Sequence, residues 1–190
     1  MAEVSVVSSR HGKTRPLSAD MAFIEKRAIG DVCAWAKSGY ETVKKAEVIG
    51  FLFGSISQSG SVHIKAARGY DGGQRTRTSV VVDSEAACRR RRALQRKLGI
   101  EFLGSFHSHV EIGGHHSCSL SPEDRREFLG DYEARVELLV AVWATCNPGL
   151  PKPLRRTISG YDPGSRYAYR VKAYVKAGGR AIRQISIEAV

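Results

Sequence analysis

Residues 107–124, HSHVEIGGHHSCSLSPED, gather four histidines, a cysteine and several acids into one short stretch. Imidazole, thiolate and carboxylate are the side chains that hold zinc, and a catalytic zinc takes three of them so that one position stays open. EFLGSFHSH, 101–109, reads as a β-strand. Side chains alternate along a strand, so His107 and His109 project from one face and two imidazoles converge. Asp124 is the natural third ligand, on the first turn of a helix beginning at Ser121 and Pro122, where proline is welcome. Two histidines and one carboxylate leave the fourth position to water, the arrangement of a hydrolytic site. Each piece also has a plainer reading. Ser121 and Asp124 match a capping box, and a single His107 fits a satisfied core histidine. Glu111, His115, His116 and Cys118 are rival donors. They reach a metal only where Gly113 and Gly114 fold the loop inward, and an added ligand would close the water position. Otherwise they line a substrate channel or face solvent.

Periodicity predicts the elements around these residues. Met21, Ile24, Ala28, Val32 and Trp35 recur at helical spacing, predicting an amphipathic helix over about 19–38 with Ser18 near its start. EVSVV at 3–7 suits a short first strand. EVIGFLFGSIS, beginning at Glu47, and SVHIKAARGY are β-compatible and joined through Gln58, Ser59 and Gly60, which suggests a hairpin. TSVVVD (78–83) is a further strand, followed by an arginine-rich helix over about 84–98 capped by Gly99. Arg91 falls on that helix's apolar stripe with Ala87, Leu94 and Leu98, so it must snorkel or pair with an acid. VELLVAVWAT (136–145) reads as a buried central strand, and SPEDRREFLGDY before it as a short helix. RRTISGY, RYAYRVKAYV and RQISIEA supply the last strands. The expected fold class is α/β, a single domain over 1–190 with a mixed β-sheet flanked by helices.

Thirty Lys plus Arg against nineteen Asp plus Glu give a net charge of +11, which suits an acidic protein or nucleic acid. The run CRRRRALQRKLG points its arginines around a helix rather than along one flat face, which argues against nucleic acid as the partner. Cysteines 33, 88, 118 and 146 contain no C-x-x-C pair, which argues against a zinc ribbon or redox motif. Reduced thiols are expected, with a Cys118–Cys146 disulfide as the alternative. No apolar run is long enough to span a bilayer, and the first twenty residues lack a secretory pattern, so the expected setting is cytoplasmic.

Glu47-Val-Ile-Gly-Phe-Leu-Phe-Gly54, Gly104-Ser-Phe-His-Ser-His109 and Ser121-Pro-Glu-Asp124 together resemble the JAMM (MPN+) metalloprotease family. That family places a glutamate on an early strand, then His-x-His, then Ser-x-x-Asp. The resemblance implies a cytidine-deaminase-like α/β fold and a zinc cofactor. It also implies hydrolysis of the peptide or isopeptide bond after the C-terminal glycine of ubiquitin or a ubiquitin-like modifier. It makes His107, His109 and Asp124 the zinc ligands, Glu47 the general base, and Ser121 the hydrogen-bond donor to the oxyanion. Two features depart from the family. Val110 stands where proline usually follows the second histidine. Ser121 lies twelve residues after His109 instead of about eight. At the usual spacing stand Ser117 and Leu120, and leucine cannot bind metal, so the loop is enlarged. GYDGGQRTRT (69–78) would be a flap whose Gly72, Gly73, Thr76 and Thr78 meet an extended Gly-Gly tail as an added strand. The implied partners are ubiquitin-like conjugates, with recruitment to a proteasome-like particle left open. A metal-free MPN-type scaffold, a nucleic-acid-binding relative and a peptidase acting on a sulfur-carrier protein are the alternatives.

Overall fold

In a computed structural model, which describes residues 20–146, 156–162, 164–177 and 181–190, the apolar run beginning at Met21 splits in two. Met21–Ile24 is a strand, β1, and the helix α1 covers Lys26–Tyr40. The helix expected over 19–38 is therefore corrected at its first turn. Ala22 and Ile24 alternate inward along β1, which is paired in parallel on both sides. Apolar residues three apart satisfy a helix, but strand partners from distant parts of the chain decide the matter here. Ser18 and the strand expected at 3–7 lie outside the described residues.

The remaining elements are β2 (Ile49–Ile56), β3 (Val62–Tyr70), β4 (Gly73–Arg75), β5 (Val80–Val82), α2 (Ser84–Leu98) and β6 (Glu101–Val110). After them come α3 (Pro122–Gly130), β7 (Val136–Ala144), β8 (Ile158–Asp162), β9 (Tyr167–Lys176) and β10 (Ile182–Ala189). The main sheet runs β10-β1-β3-β2-β6-β7-β9-β8, and β10 pairs also with β9. That antiparallel pairing, from Ile182 opposite Lys176 to Ile185 opposite Ala173, joins the two sides of the sheet. Seven strands close into a ring, and the edge of β9 away from β7 is shared, Tyr167–Val171 pairing with β8 and Ala173–Lys176 with β10. Among the described residues the fold is a closed mixed β-barrel with three helices, mostly strands. It corrects the expected cytidine-deaminase-like α/β sheet flanked by helices. Closure pairs the first half of β10, Ile182–Ile185, with β9 and the second half, Ser186–Ala189, with β1, where an open sheet would leave bare edges.

The main core combines Leu52, Ile64, Phe106, Leu138, Val140 and Ile185 with the α1 stripe Ala28, Val32, Ala36 and Tyr40. Two smaller clusters lie under the other helices. Phe51, Phe53, Tyr70 and Leu94 pack below α2, and Leu120, Phe128, Leu139 and Tyr174 below α3. Asp83 caps α2 by accepting from the Glu85 and Ala86 N–H groups, and Gly99, at φ 65°, ends it in the left-handed region. Arg91 turns inward, is 6% exposed, pairs with Glu133 and lies 4.3 Å over the Phe102 ring. Arg89, Arg90, Arg92, Arg96 and Lys97 are exposed. With Arg91 withdrawn, the arginine run does not encircle α2; the cations fill its outward arc. Among the described residues no helix is long and apolar enough to cross a membrane.

Candidate metal centre

Strand β6 lies between β2 and β7. Phe106 and Val110 join the main core, so the alternation beyond the irregularity at Leu103 turns His107 and His109 to the opposite face, where α3 packs. Gly104 lets β6 lie against β7 just before the pair. A Cβ there would stand 1.8 Å from the Val136 carbonyl oxygen. α3 begins at the Ser121 cap with Pro122 in its first turn, and this brings Asp124 up to the two rings.

His107, His109 and Asp124 each offer one ligand atom, and these atoms lie within 4.8 Å of one another. Asp124 Oδ2 is 3.3 Å from His109 Nε2 and 3.5 Å from His107 Nε2. The same oxygen accepts the Ser121 backbone N–H at 2.6 Å, while Ser121 Oγ accepts the Asp124 N–H at 3.1 Å. The capping box and the candidate ligand are thus one group serving both purposes. Burial alone would raise the Asp124 carboxyl, but the two histidines outweigh it and hold it far below the usual range. Burial works against a charge on His107 too, yet Asp124 and Glu137 raise its pKa to about 10.

Glu47 precedes β2. Ile49 sits opposite His107 in the ladder, and two residues earlier Glu47 shares the Ile49 face. Its neighbours fix it tightly. Its N–H donates to the Thr76 carbonyl at 2.8 Å, the Val48 N–H donates to Ser108 Oγ at 3.0 Å, and the Ser108 N–H returns to the Val48 carbonyl at 2.9 Å. Glu47 is only 9% exposed. Burial pushes its carboxyl up to about 8, with the charge of His107 opposing and that of Asp124 adding.

Glu137 escaped the sequence reading. It is 4% exposed on β7, and its carboxylate accepts from Ser105 Oγ at 2.5 Å and meets His107 Nδ1 at 2.6 Å. The signal was present, because a lone acid inside VELLVAVWA must find a partner if that strand is buried.

The other candidates fall around this cluster. β4 and β5 pair with each other as a small hairpin, with Gly72 and Gly73 at its entry and Thr76 and Thr78 at its exposed tip. Thr76 contributes the carbonyl that holds Glu47, and Arg77 donates to the Lys44 carbonyl at 3.2 Å, so the hairpin is tied to the segment carrying Glu47. The rival donors of the enlarged loop are not in the cluster among the described residues. Glu111 accepts from the Tyr40 hydroxyl at 2.7 Å, and His116 stacks on Trp143 with ring centroids 4.0 Å apart. The Cys118 carbonyl accepts from the Tyr174 hydroxyl at 3.4 Å, and His115 pairs its backbone with Ile112. All four cysteines are free thiols, which corrects the Cys118–Cys146 alternative.

The donor set suits a divalent metal of the zinc type: two imidazole nitrogens and a carboxylate oxygen. A second observation agrees with it. His107 Nε2 is buried, and its nearest partner, Asp124 Oδ2 at 3.5 Å, is too far for a well-formed hydrogen bond. A buried nitrogen so loosely met is costly unless a ligand completes it.

No protein-family profile matches this chain, and no curated protein matches it. Among solved structures, the solution structure of a structural-genomics target protein from Desulfitobacterium hafniense is similar, with a TM-score of 0.59 at 16% identity. The likeness covers 90% of this chain and 93% of that one and concerns the fold alone.

Proposed function

We propose that this protein is a zinc-dependent peptidase or isopeptidase of the JAMM type, acting on the bond that follows the C-terminal glycine of a ubiquitin-like protein. One observation carries the reading. The ligand atoms of His107, His109 and Asp124 lie within 4.8 Å of one another on the face that also bears the buried Glu47. The likeness to JAMM enzymes is one of site residues.

His107, His109 and Asp124 would hold the ion. Zinc bound there supplies a Lewis acid that activates water near neutral pH and polarises the scissile carbonyl. Glu47 handles the proton. Its burial raises the carboxyl, making its ionised form a stronger base than an exposed glutamate, suited to take a proton from the attacking water and pass it to the departing amine. The Thr76 hydrogen bond to Glu47 and the two Ser108 hydrogen bonds to Val48 hold this stretch of backbone still during that exchange. Ser121 spends an oxygen lone pair on the Asp124 N–H, and its hydroxyl hydrogen stays available for the developing oxyanion. The β4–β5 hairpin beside Glu47 offers backbone groups to an extended tail, and Gly72, Gly73, Thr76 and Thr78 are the residues expected to meet it. The four free thiols suit a cytoplasmic setting, where ubiquitin-like substrates also reside.

The test is to incubate the zinc-loaded chain with a panel of conjugates ending in Gly-Gly joined to lysine, with and without a chelator. A sulfur-carrier conjugate belongs in the panel. The expected result is hydrolysis of at least one conjugate, abolished by chelation and by Glu47→Gln. Cleavage that survives chelation, or a chain that binds zinc but cleaves none of the panel, would sink the proposal.

A further inference from the structure

Resting on the metal-site reading above, we infer that Glu137 is a positioning residue that sets the tautomer and ring direction of His107 for metal binding. β6 and β7 run parallel with Ser105 beside Glu137 and His107 beside Leu139, so Glu137 reaches His107 diagonally along the outer face. Its two carboxylate oxygens are divided between two groups. Ser105 Oγ donates to Oε2 at 2.5 Å, and His107 Nδ1 lies 2.6 Å from Oε1.

An ionised carboxylate only accepts hydrogen bonds. Nδ1 must therefore keep its hydrogen, so Nε2 is the nitrogen from which an arriving metal displaces a proton and takes the lone pair. Nε2 is the nitrogen without a well-formed hydrogen bond, on the side facing Asp124 Oδ2. Glu137 thus selects the metal-binding nitrogen and stops the ring from turning. A carboxylate behind the imidazole also makes the opposite nitrogen a stronger donor. Glu137 is 4% exposed, so water competes little for this role. Ser105 orders the carboxylate in its turn.

The experiment is zinc competition against a chromophoric chelator on the full chain, comparing the parent with Glu137→Gln and Ser105→Ala. Glu137→Gln keeps the shape and removes the charge; it is expected to weaken zinc binding by about 10- to 100-fold. Ser105→Ala should cost less than about tenfold, because the His107 contact remains. Nitrogen-15 NMR of the zinc-loaded parent should show a metal-bound Nε2 and a protonated Nδ1 on His107, a signature that a purely structural Glu137 would not fix. If Glu137→Gln fails to fold, Glu137→Asp replaces it, withdrawing the charge by one methylene and giving an intermediate loss. Zinc affinity within twofold of the parent for the folded variant, or a metal-bound Nδ1, overturns the inference. A parent chain that binds no zinc overturns the metal-site reading itself, whereas tight binding lost in His107→Ala but kept in Glu137→Gln overturns only the role of Glu137.

Discussion

Ser121 and Asp124 exchange two hydrogen bonds at the start of α3, and the carboxylate oxygen that closes this exchange at 2.6 Å also faces His109 Nε2 at 3.3 Å. A helix cap therefore holds a candidate ligand in place before any ion arrives. Two substitutions separate the roles. Asp124→Asn keeps an oxygen for the Ser121 N–H but loses the charge that the two histidines meet, so it should be less stable than the parent in chelator, and its zinc affinity should fall more than tenfold. Asp124→Ala removes the cap as well and should cost about 1 kcal/mol more than Asp124→Asn without metal. Denaturant titration in chelator checks this; equal stability of the two variants would show that the cap contributes nothing.

Zinc should stabilise the fold by mass action. At a free concentration about 100 times its dissociation constant, binding adds about 2.7 kcal/mol. The thermal midpoint should rise with zinc, return with chelator, and stay flat in His109→Ala. Calorimetry at matched protein concentration reads this directly, and a midpoint indifferent to zinc would contradict the site.

Much of this was legible in the sequence because the signals were local. His107 and His109 on a strand, Ser121-Pro122 opening a helix and Gly99 closing one each follow from neighbouring residues. Barrel closure had no such signal. It depends on β10 meeting β1 and β9, and the first of these pairs joins residues near opposite ends of the chain. Met21–Ile24 was misread for the same reason, since its strand partners are remote and its spacing also fits a helix. Glu137 looked like a blemish in an apolar strand, and only the parallel register beside β6 reveals its contact with His107. The capping and ligand readings of Asp124 looked like competitors, yet one oxygen serves both.

Arg91 couples α2 to the turn before β7. It is 7% exposed at its side chain, while its partners Asp131 and Glu133 are 39% and 36% exposed. Because those acids stay partly hydrated, Arg91→Ala should destabilise by about 2 kcal/mol, less than a fully buried pair would lose. Arg91→Met should recover part of this through packing on Phe102. Urea titrations of the three proteins decide it; an alanine variant as stable as the parent would dismiss the pairing.

Acid sensitivity should have one traceable source on β8. Ser165 and then Lys37 hold the Asp162 carboxyl down at about 2, below its ordinary value of 3.8. A depressed folded pKa adds stability that is complete above the ordinary value and disappears as pH falls through the folded one. The difference between the parent and Asp162→Asn should accordingly be full at pH 5 and shrink between about pH 4 and pH 2. Parallel stability curves across that window would refute the assignment.

The outward arc of α2 gives the proposed substrate an electrostatic handle. Arg92 and Arg96 are exposed one turn apart. Reversing both to glutamate should raise KM for an acidic ubiquitin-like conjugate by about tenfold with kcat unchanged, and flatten the salt dependence of kcat/KM. Steady-state kinetics at several ionic strengths checks this; a fall in kcat would point instead to damage at the site.

Because β1 lies between β3 and β10, biosynthesis imposes an order of events. A ribosome releases the segments bearing Glu47, His107, Asp124 and Glu137 well before residues 182–189 emerge to close the ring. The nascent chain must wait with one side of β1 and the Ala173–Lys176 stretch of β9 unpaired, a period in which a chaperone or a neighbouring polypeptide can capture them. Premature termination before Ile182 would leave every metal-site residue in the product but no finished wall to hold them.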